Sequence, residues 1–244
     1  MSDYNRNYYR EDSRVGERCT IDGKDAYLEF NADLKEFVLS QGKLESDYRL
    51  STGNSHFQIF HSSAEEKKLE LEFYVGGPSQ EAVQTNISNL LQALRQCGIS
   101  RGSDVFEYAA VLVDNEVEET EVEPYYLVTC ELAAVRRKPL VTCRITGTSS
   151  VYNDGNTASG VRIEFKAPVT GSIRGITVFG VTISPAKNGA TYVIDGINGK
   201  VTENGVNCFQ LTDLIDFPKI KPGMNEIEMS VSMDASVSFF PVFA

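Results

Sequence analysis

The chain has 244 residues, no tryptophan and a formal net charge of -11 at pH 7. Such an acidic surface gains nothing from neutralising phosphates, which argues against a basic nucleic-acid face and against anionic membrane surfaces. Hydrophobic residues make up 41% of the chain, enough for a real core in one large or two small domains, and no apolar run approaches the ~18 residues of a membrane span.

Residues 1–18 are polar and charged, with Tyr4, Tyr8 and Tyr9 among Asn, Asp and Arg and no apolar signal-peptide core. A soluble protein made in the cytosol is expected. Two readings of the segment stand: a frayed terminus, and an arm that docks, for instance on a neighbouring subunit. Short apolar runs follow at "AYLEF" (26–30), "EFVLS" (36–40) and "HFQIF" (56–60), and all three read as strands. "KLELEFYV" (68–75) alternates Leu69, Leu71, Phe73 and Val75 against Glu70 and Glu72, the pattern of a half-buried antiparallel strand.

One helix is expected over 79–97. Ser79 suits the N-cap, Glu81 sits in the first turn, and Val83, Ile87, Leu90, Leu91, Leu94 and Cys97 form one apolar stripe. Gly98 reads as its stop. "VFEYAAVLV" (105–113) and "YYLVTCELAAV" (125–135) read as paired strands. Between them, 114–124 carries Asp114, Glu116, Glu118, Glu119, Glu121 and Glu123 with no basic residue, and a solvated hairpin tip is the reading it favours. The basic "RRKP" (136–139) then marks a change of composition and a domain boundary, giving domains 1–138 and 139–244.

The second half shows no helical period. Eight short apolar runs lie between Gly, Asn, Asp and Pro, among them "IRGITVFGVTIS" (173–184) and "NEIEMSVSM" (225–233). Strands this short and this dense predict a β-sandwich or jelly-roll. Asn198-Gly199 and Asn204-Gly205 suit type I′ hairpin turns.

The search for reactive chemistry returns no catalytic, cofactor-binding or metal-ligating residue. His56 and His61 are the only histidines and sit five apart, so on a strand they point to opposite faces. Cys19, Cys97, Cys130, Cys143 and Cys208 are odd in number and never paired as Cys-x-x-Cys, which favours free thiols over a disulfide framework or zinc site. No nucleophile elbow, phosphate loop or calcium loop occurs. Function is expected to reside in surfaces, for binding or assembly.

Over most of its length, including the layout of strands, amphipathic helix and strand pair in the first half, the chain is similar to the siphophage distal tail protein family. The resemblance rests on Ile194-Asp195, Gly199, Val201, Asn204-Gly205, Asp216-Phe217-Pro218, Ile220, Pro222-Gly223 and Asn225, with "YNDGNTASGVRIEF" at the start of the second half. It implies a mainly β protein with one helix: an N-terminal β-sandwich belt domain plus helix, and a C-terminal galectin-like β-sandwich. It also implies a homo-hexameric ring that joins the tail tube protein to a tail-tip or tail-associated lysin-like protein and to a receptor-binding protein. DNA would pass through the lumen without specific binding. Such a protein is assembled in the host cytoplasm and resides in the virion tail, with no cofactor. Six copies of the 114–124 segment lining the lumen would repel DNA phosphates. A carbohydrate-binding β-sandwich module is the rival, with Tyr152 as its exposed aromatic, and an uncharacterised hydrolase comes third.

Overall fold

Four alternating residues of the 67–75 run, Leu69, Leu71, Phe73 and Val75, are all fully buried, so the period-2 pattern does form a strand with one dry face. The computed structural model describes residues 16–40, 44–50, 57–64, 67–102, 104–122, 124–169 and 174–243, with backbone alone at 44–50 and 57–64. The chain forms two units, one ending at Arg136 and the other spanning Arg137–Phe243. Each holds a hydrophobic cluster of its own.

The first unit begins with β1 (Cys19–Ile21) and β2 (Lys24–Asp25), a hairpin closed by Asp22 and Gly23 at φ 50° and 77°. Positive φ at both central residues is the type I′ geometry that Asp-Gly favours. Next come α1 (Ala26–Phe30), β3 (Ala32–Leu39), β4 (Leu44–Leu50), β5 (Phe57–Ala64) and β6 (Lys67–Val75). They are followed by α2 (Gln80–Leu94), β7 (Gln96–Arg101), β8 (Glu107–Glu119) and β9 (Tyr126–Arg137). Seven of the strands make one sheet in the order β2-β1-β7-β8-β9-β6-β3, while β4 and β5 pair with each other. A bridge between Glu17, just before β1, and Leu34 of β3 ties the β1 side of this sheet to its β3 edge, so it curls around a single core.

Within that core Leu69 lies opposite Leu132, Leu71 opposite Cys130 and Phe73 opposite Val128. The buried stripe of α2, Val83, Ile87, Leu90 and Leu94, packs into the same cluster. Ser79 caps α2 as its sequence predicts, its hydroxyl accepting from the Ala82 N–H at 3.3 Å.

Two expectations fail here. "AYLEF" is helical, because the Asp25 carboxylate accepts from the N–H groups of Tyr27 and Leu28 and Asn31 ends the turn at φ 54°. Those caps outweigh the strand-like composition. The main helix stops at Leu94, before Cys97 and Gly98, which belong to β7. Gly98 instead sits in the strand, where its N–H donates to Asp22 Oδ1 at 2.7 Å and the Glu107 carboxylate occupies the space a Cβ would take.

The second unit contains β10 (Val141–Thr146), β11 (Ser149–Asn153), β12 (Ser159–Lys166), β13 (Ile176–Val178), β14 (Val181–Ile183) and β15 (Thr191–Asp195). It continues with β16 (Lys200–Glu203), β17 (Val206–Asn207), β18 (Lys219–Ile220), β19 (Gly223–Ile227), β20 (Asp234–Phe239) and β21 (Val242–Phe243). One sheet runs β10-β20-β12-β15-β16-β17, and shorter pairs form from β11 with β19 and from β13 with β14. Val161, Ile163, Phe165, Tyr192, Ile194, Val237 and Phe239 of the long sheet share a core with Val151, Ile176, Val178, Ile183 and Ile227 of the short pairs. This is a β-sandwich, as the density of short strands predicts.

Asn204 and Gly205, at φ 49° and 83°, join β16 to β17 as a two-residue turn. Asn198-Gly199 differs. Asp195 pairs with Lys200, so the loop has four residues, and only Gly199 takes a positive φ of 65°. "IRGITVFGVTIS" is two strands and not one, folded back at Phe179-Gly180. The "NEIEMSVSM" strand ends at Ile227. Beyond it, the backbone of Met229 and Ser230 bonds to Thr148 Oγ1 and to the Thr177 carbonyl, outside any long ladder.

Candidate interaction surfaces

Burial determines what the thiols can do. All five are free; Cys19, Cys97, Cys130 and Cys208 are buried and Cys143 is half-buried. Loss of solvent pushes the thiols of Cys19, Cys97 and Cys130 up to about 12. A thiol held protonated is neither a good nucleophile nor a ready metal ligand. Among the described residues no group of three His, Cys, Asp or Glu could hold a metal ion. His56 lies outside the described residues, and His61 faces Asp47 in the β4–β5 register with its side chain undescribed. No helix among them is long and apolar enough to cross a membrane.

The acidic segment is not a hairpin tip throughout. Asp114–Glu119 continue β8 as exposed strand, beyond the part whose Tyr108 and Ala110 face the core. The turn proper starts at Thr120, whose hydroxyl donates to the carbonyls of Val122 and Tyr125 at 3.0 and 2.7 Å. Beside that turn lies a groove of about 520 Å³. Its walls include Tyr27, Asp33, Tyr74, Glu118, Glu119 and Tyr125. Lys35 stands at its edge, 2.7 Å from Glu72 and 5.6 Å from the centre of the Tyr74 ring.

The basic residues that end β9 and follow it are engaged. Arg136 stacks 4.8 Å from the ring centre of Phe106, Arg137 stacks 3.8 Å from that of Phe240, and Lys138 pairs with Asp154.

On the second unit, Arg162, Glu164, Thr191, Asp195, Lys200 and Thr202 line a shallow polar face of the long sheet. Arg162 pairs with Glu164 at 2.7 Å across that face. Tyr152 is 62% exposed, as its sequence context predicts, but it stands on β11 opposite Met224 and lines no part of that face. Phe209 and Phe217 have ring centres 6.2 Å apart, and Ile215 between them in sequence is almost fully exposed.

The two-unit layout, curled sheet with helix followed by sandwich, matches known structures. The crystal structure of Dit from phage SPP1, described as a paradigm of the hub adsorption apparatus in phages infecting Gram-positive hosts, aligns with a TM-score of 0.66 at 15% identity. The alignment covers 93% of this chain and 99% of that one. The chain has the Dit fold. A chain of the phage P2 baseplate, in its activated conformation with Ca, also aligns, with a TM-score of 0.50 at 10% identity, over 84% of this chain and 90% of that one. No family model and no curated sequence relative matches.

In this Dit fold the residues that carry the resemblance build loops. Asp195 Oδ1 accepts from the N–H groups of Ile197 and Asn198. Asn204 Oδ1 accepts from the Thr191 N–H, and the Asn225 side chain both accepts from Lys221 N–H and donates to Lys221 and Gly223 carbonyls. Each polar side chain satisfies backbone groups that a tight loop leaves unpaired. The groove of the first unit had no such local signal, because Asp33, Tyr74, Glu118 and Tyr125 converge only through the sheet.

Proposed function

We propose that the protein is a structural hub of a phage tail. In this reading it forms a hexameric ring that links the tail tube to the tail tip or baseplate and its host-adhesion proteins. Residues 1–138 close the ring and residues 139–244 project from it. The protein is assembled in the host cytoplasm and resides in the virion tail. One observation carries the proposal: the likeness to SPP1 Dit spans both units and nearly the whole of each chain, not a single common sandwich. A hub acts through its surfaces, and protonated buried thiols and loop-building carboxylates fit that role. Cyclic closure would also cover sheet edges that otherwise invite aggregation.

Native mass measurement with negative-stain imaging tests this. A closed ring of six 27.0 kDa chains is the expected result; a stable monomer at assembly concentrations overturns the hub. Glycan binding by such a monomer would favour the sandwich as a sugar-binding module. The polar face of the long sheet offers that second reading no ring, and the exposed Tyr152 stands apart from it. In the ring, carboxylates of the exposed β8 extension would line the lumen and repel passing DNA. Asp114→Lys with Glu116→Lys should make purified rings retain DNA at low salt, and rings that still ignore DNA place this segment elsewhere.

A further inference from the structure

The groove beside the β8–β9 turn combines two chemistries. Tyr27, Tyr74 and Tyr125 supply aromatic surface, while Asp33, Glu118 and Glu119 supply carboxylates. Glu118, Tyr125 and Val122 are exposed, so the groove is open on the surface of the first unit. Such a lining suits a ligand with both rings and guanidinium groups. Arginine stacks on tyrosine faces and forks onto carboxylates, and each interaction reinforces the other in a partly desolvated site.

The chain itself carries that chemistry next to the groove. Gly16, the first described residue, donates its backbone N–H to the Asp33 carboxylate at 3.2 and 3.3 Å, and Asp33 is part of the groove wall. Gly16 therefore stands at the groove's rim. The 4–10 stretch reads "YNRNYYR", with three tyrosines, two arginines and no acid, in a chain of net charge -11. Five residues separate Arg10 from Gly16, a reach of roughly 20 Å when extended. We propose that the "YNRNYYR" stretch seats in this groove of its own chain, with Arg6 and Arg10 paired to Glu118 and Glu119 and the tyrosines against the aromatic wall. The seat covers apolar ring surface and neutralises two neighbouring carboxylates. This inference is independent of the tail role.

The test compares full-length protein with a variant lacking residues 1–15, using a fluorescently labelled synthetic peptide of residues 1–15 as the probe. The peptide should bind the shortened variant saturably at low salt. It should bind the full-length protein at least about tenfold more weakly, because the resident segment competes. Glu118→Lys with Glu119→Lys in the shortened variant should cost tenfold or more in peptide affinity. Absence of saturable binding, equal binding to both proteins, or indifference to the charge reversal each overturns the proposal. Should the shortened variant fail to fold, trypsin cleavage after Arg6 and Arg10 in the full-length chain gives the answer. The charge reversal should speed that cleavage about tenfold by unseating the segment, and an unchanged rate overturns the proposal.

Discussion

The ring of Tyr125 lies so close over Gly76 that a Cβ at residue 76 would sit 2.4 Å from its Cε1. The glycine cannot easily move away. Its N–H donates to the Asn31 carbonyl at 3.2 Å, and its own carbonyl accepts from Asn86 Nδ2 at 2.9 Å. Gly76→Ala should therefore displace the ring and cost roughly 1–3 kcal/mol, the usual range for overpacking. In a Tyr125→Ala background the same change should cost little, since the clash is gone. Urea unfolding of the four proteins of this double-mutant cycle checks it, and equal penalties in both backgrounds would exclude the ring as the cause.

Leu90 is fully buried in the stripe that α2 lays on the sheet, with Val83, Ile87 and Leu94 beside it. Leu90→Ala should destabilise the protein by roughly 2–5 kcal/mol, the cost of lost transfer energy plus the cavity. A loss below about 0.5 kcal/mol, the size of a surface change, would contradict this packing.

What the sequence revealed follows from the range of each signal. The strand at Lys67–Val75 and the stripe of α2 each repeat one pattern several times; the strand appears as predicted, and the stripe does so through Val83, Ile87, Leu90 and Leu94, while Cys97 passes to β7. The helix at Ala26–Phe30 is too short to show a period; the residues flanking it, Asp25 and Asn31, decide its conformation. The turn at Phe179-Gly180 places a phenylalanine at φ 47°, a conformation bulky residues avoid, so no rule of turn composition would put a turn there. The groove joins Tyr27 to Tyr125, nearly a hundred positions apart, and became visible only when β3, β6 and β8 were placed in one unit.

The buried thiols make stability depend on alkaline pH. Burial raises Cys19, Cys97 and Cys130 from 9.0 to about 12, so folding favours their neutral form. That contribution is fully present below pH 9.0 and is lost as pH rises toward 12. Cys130 should withdraw at most about 1.4 kcal/mol per pH unit across that window, and Cys19 and Cys97, which raise one another's cost of ionising, add a further loss. Urea unfolding at about pH 8 and about pH 10.5 should show the drop, and Cys130→Ala should make it shallower. A slope untouched by that substitution would assign the alkaline loss to other groups. At neutral pH Cys143, the half-buried thiol, should react first with a disulfide reagent, and Cys143→Ser should remove that fast phase.

Asp195 explains why a carboxylate belongs in the Ile-Asp loop. It is 2% exposed, yet both of its oxygens are occupied. Oδ1 accepts from the N–H groups of Ile197 and Asn198 at 3.1 and 2.9 Å, and Oδ2 accepts from Asn198 Nδ2 at 2.9 Å. Across the sheet its register partner is Arg162, whose Nε stands 4.0 Å from Oδ2. The side chain thus pins the four-residue loop between β15 and β16. Asp195→Ala should strand two backbone donors and cost roughly 2–4 kcal/mol. Asp195→Asn keeps one acceptor for the backbone but turns its amide toward the Asn198 amide, and should cost about 1 kcal/mol, less if Asn198 reverses its own amide. Hydrogen exchange separates this local role from a general loss of stability. In Asp195→Asn the amides of Ile197 and Asn198 should lose protection before those of β12, whereas equal loss in both places would make Asp195 a core residue rather than a loop cap.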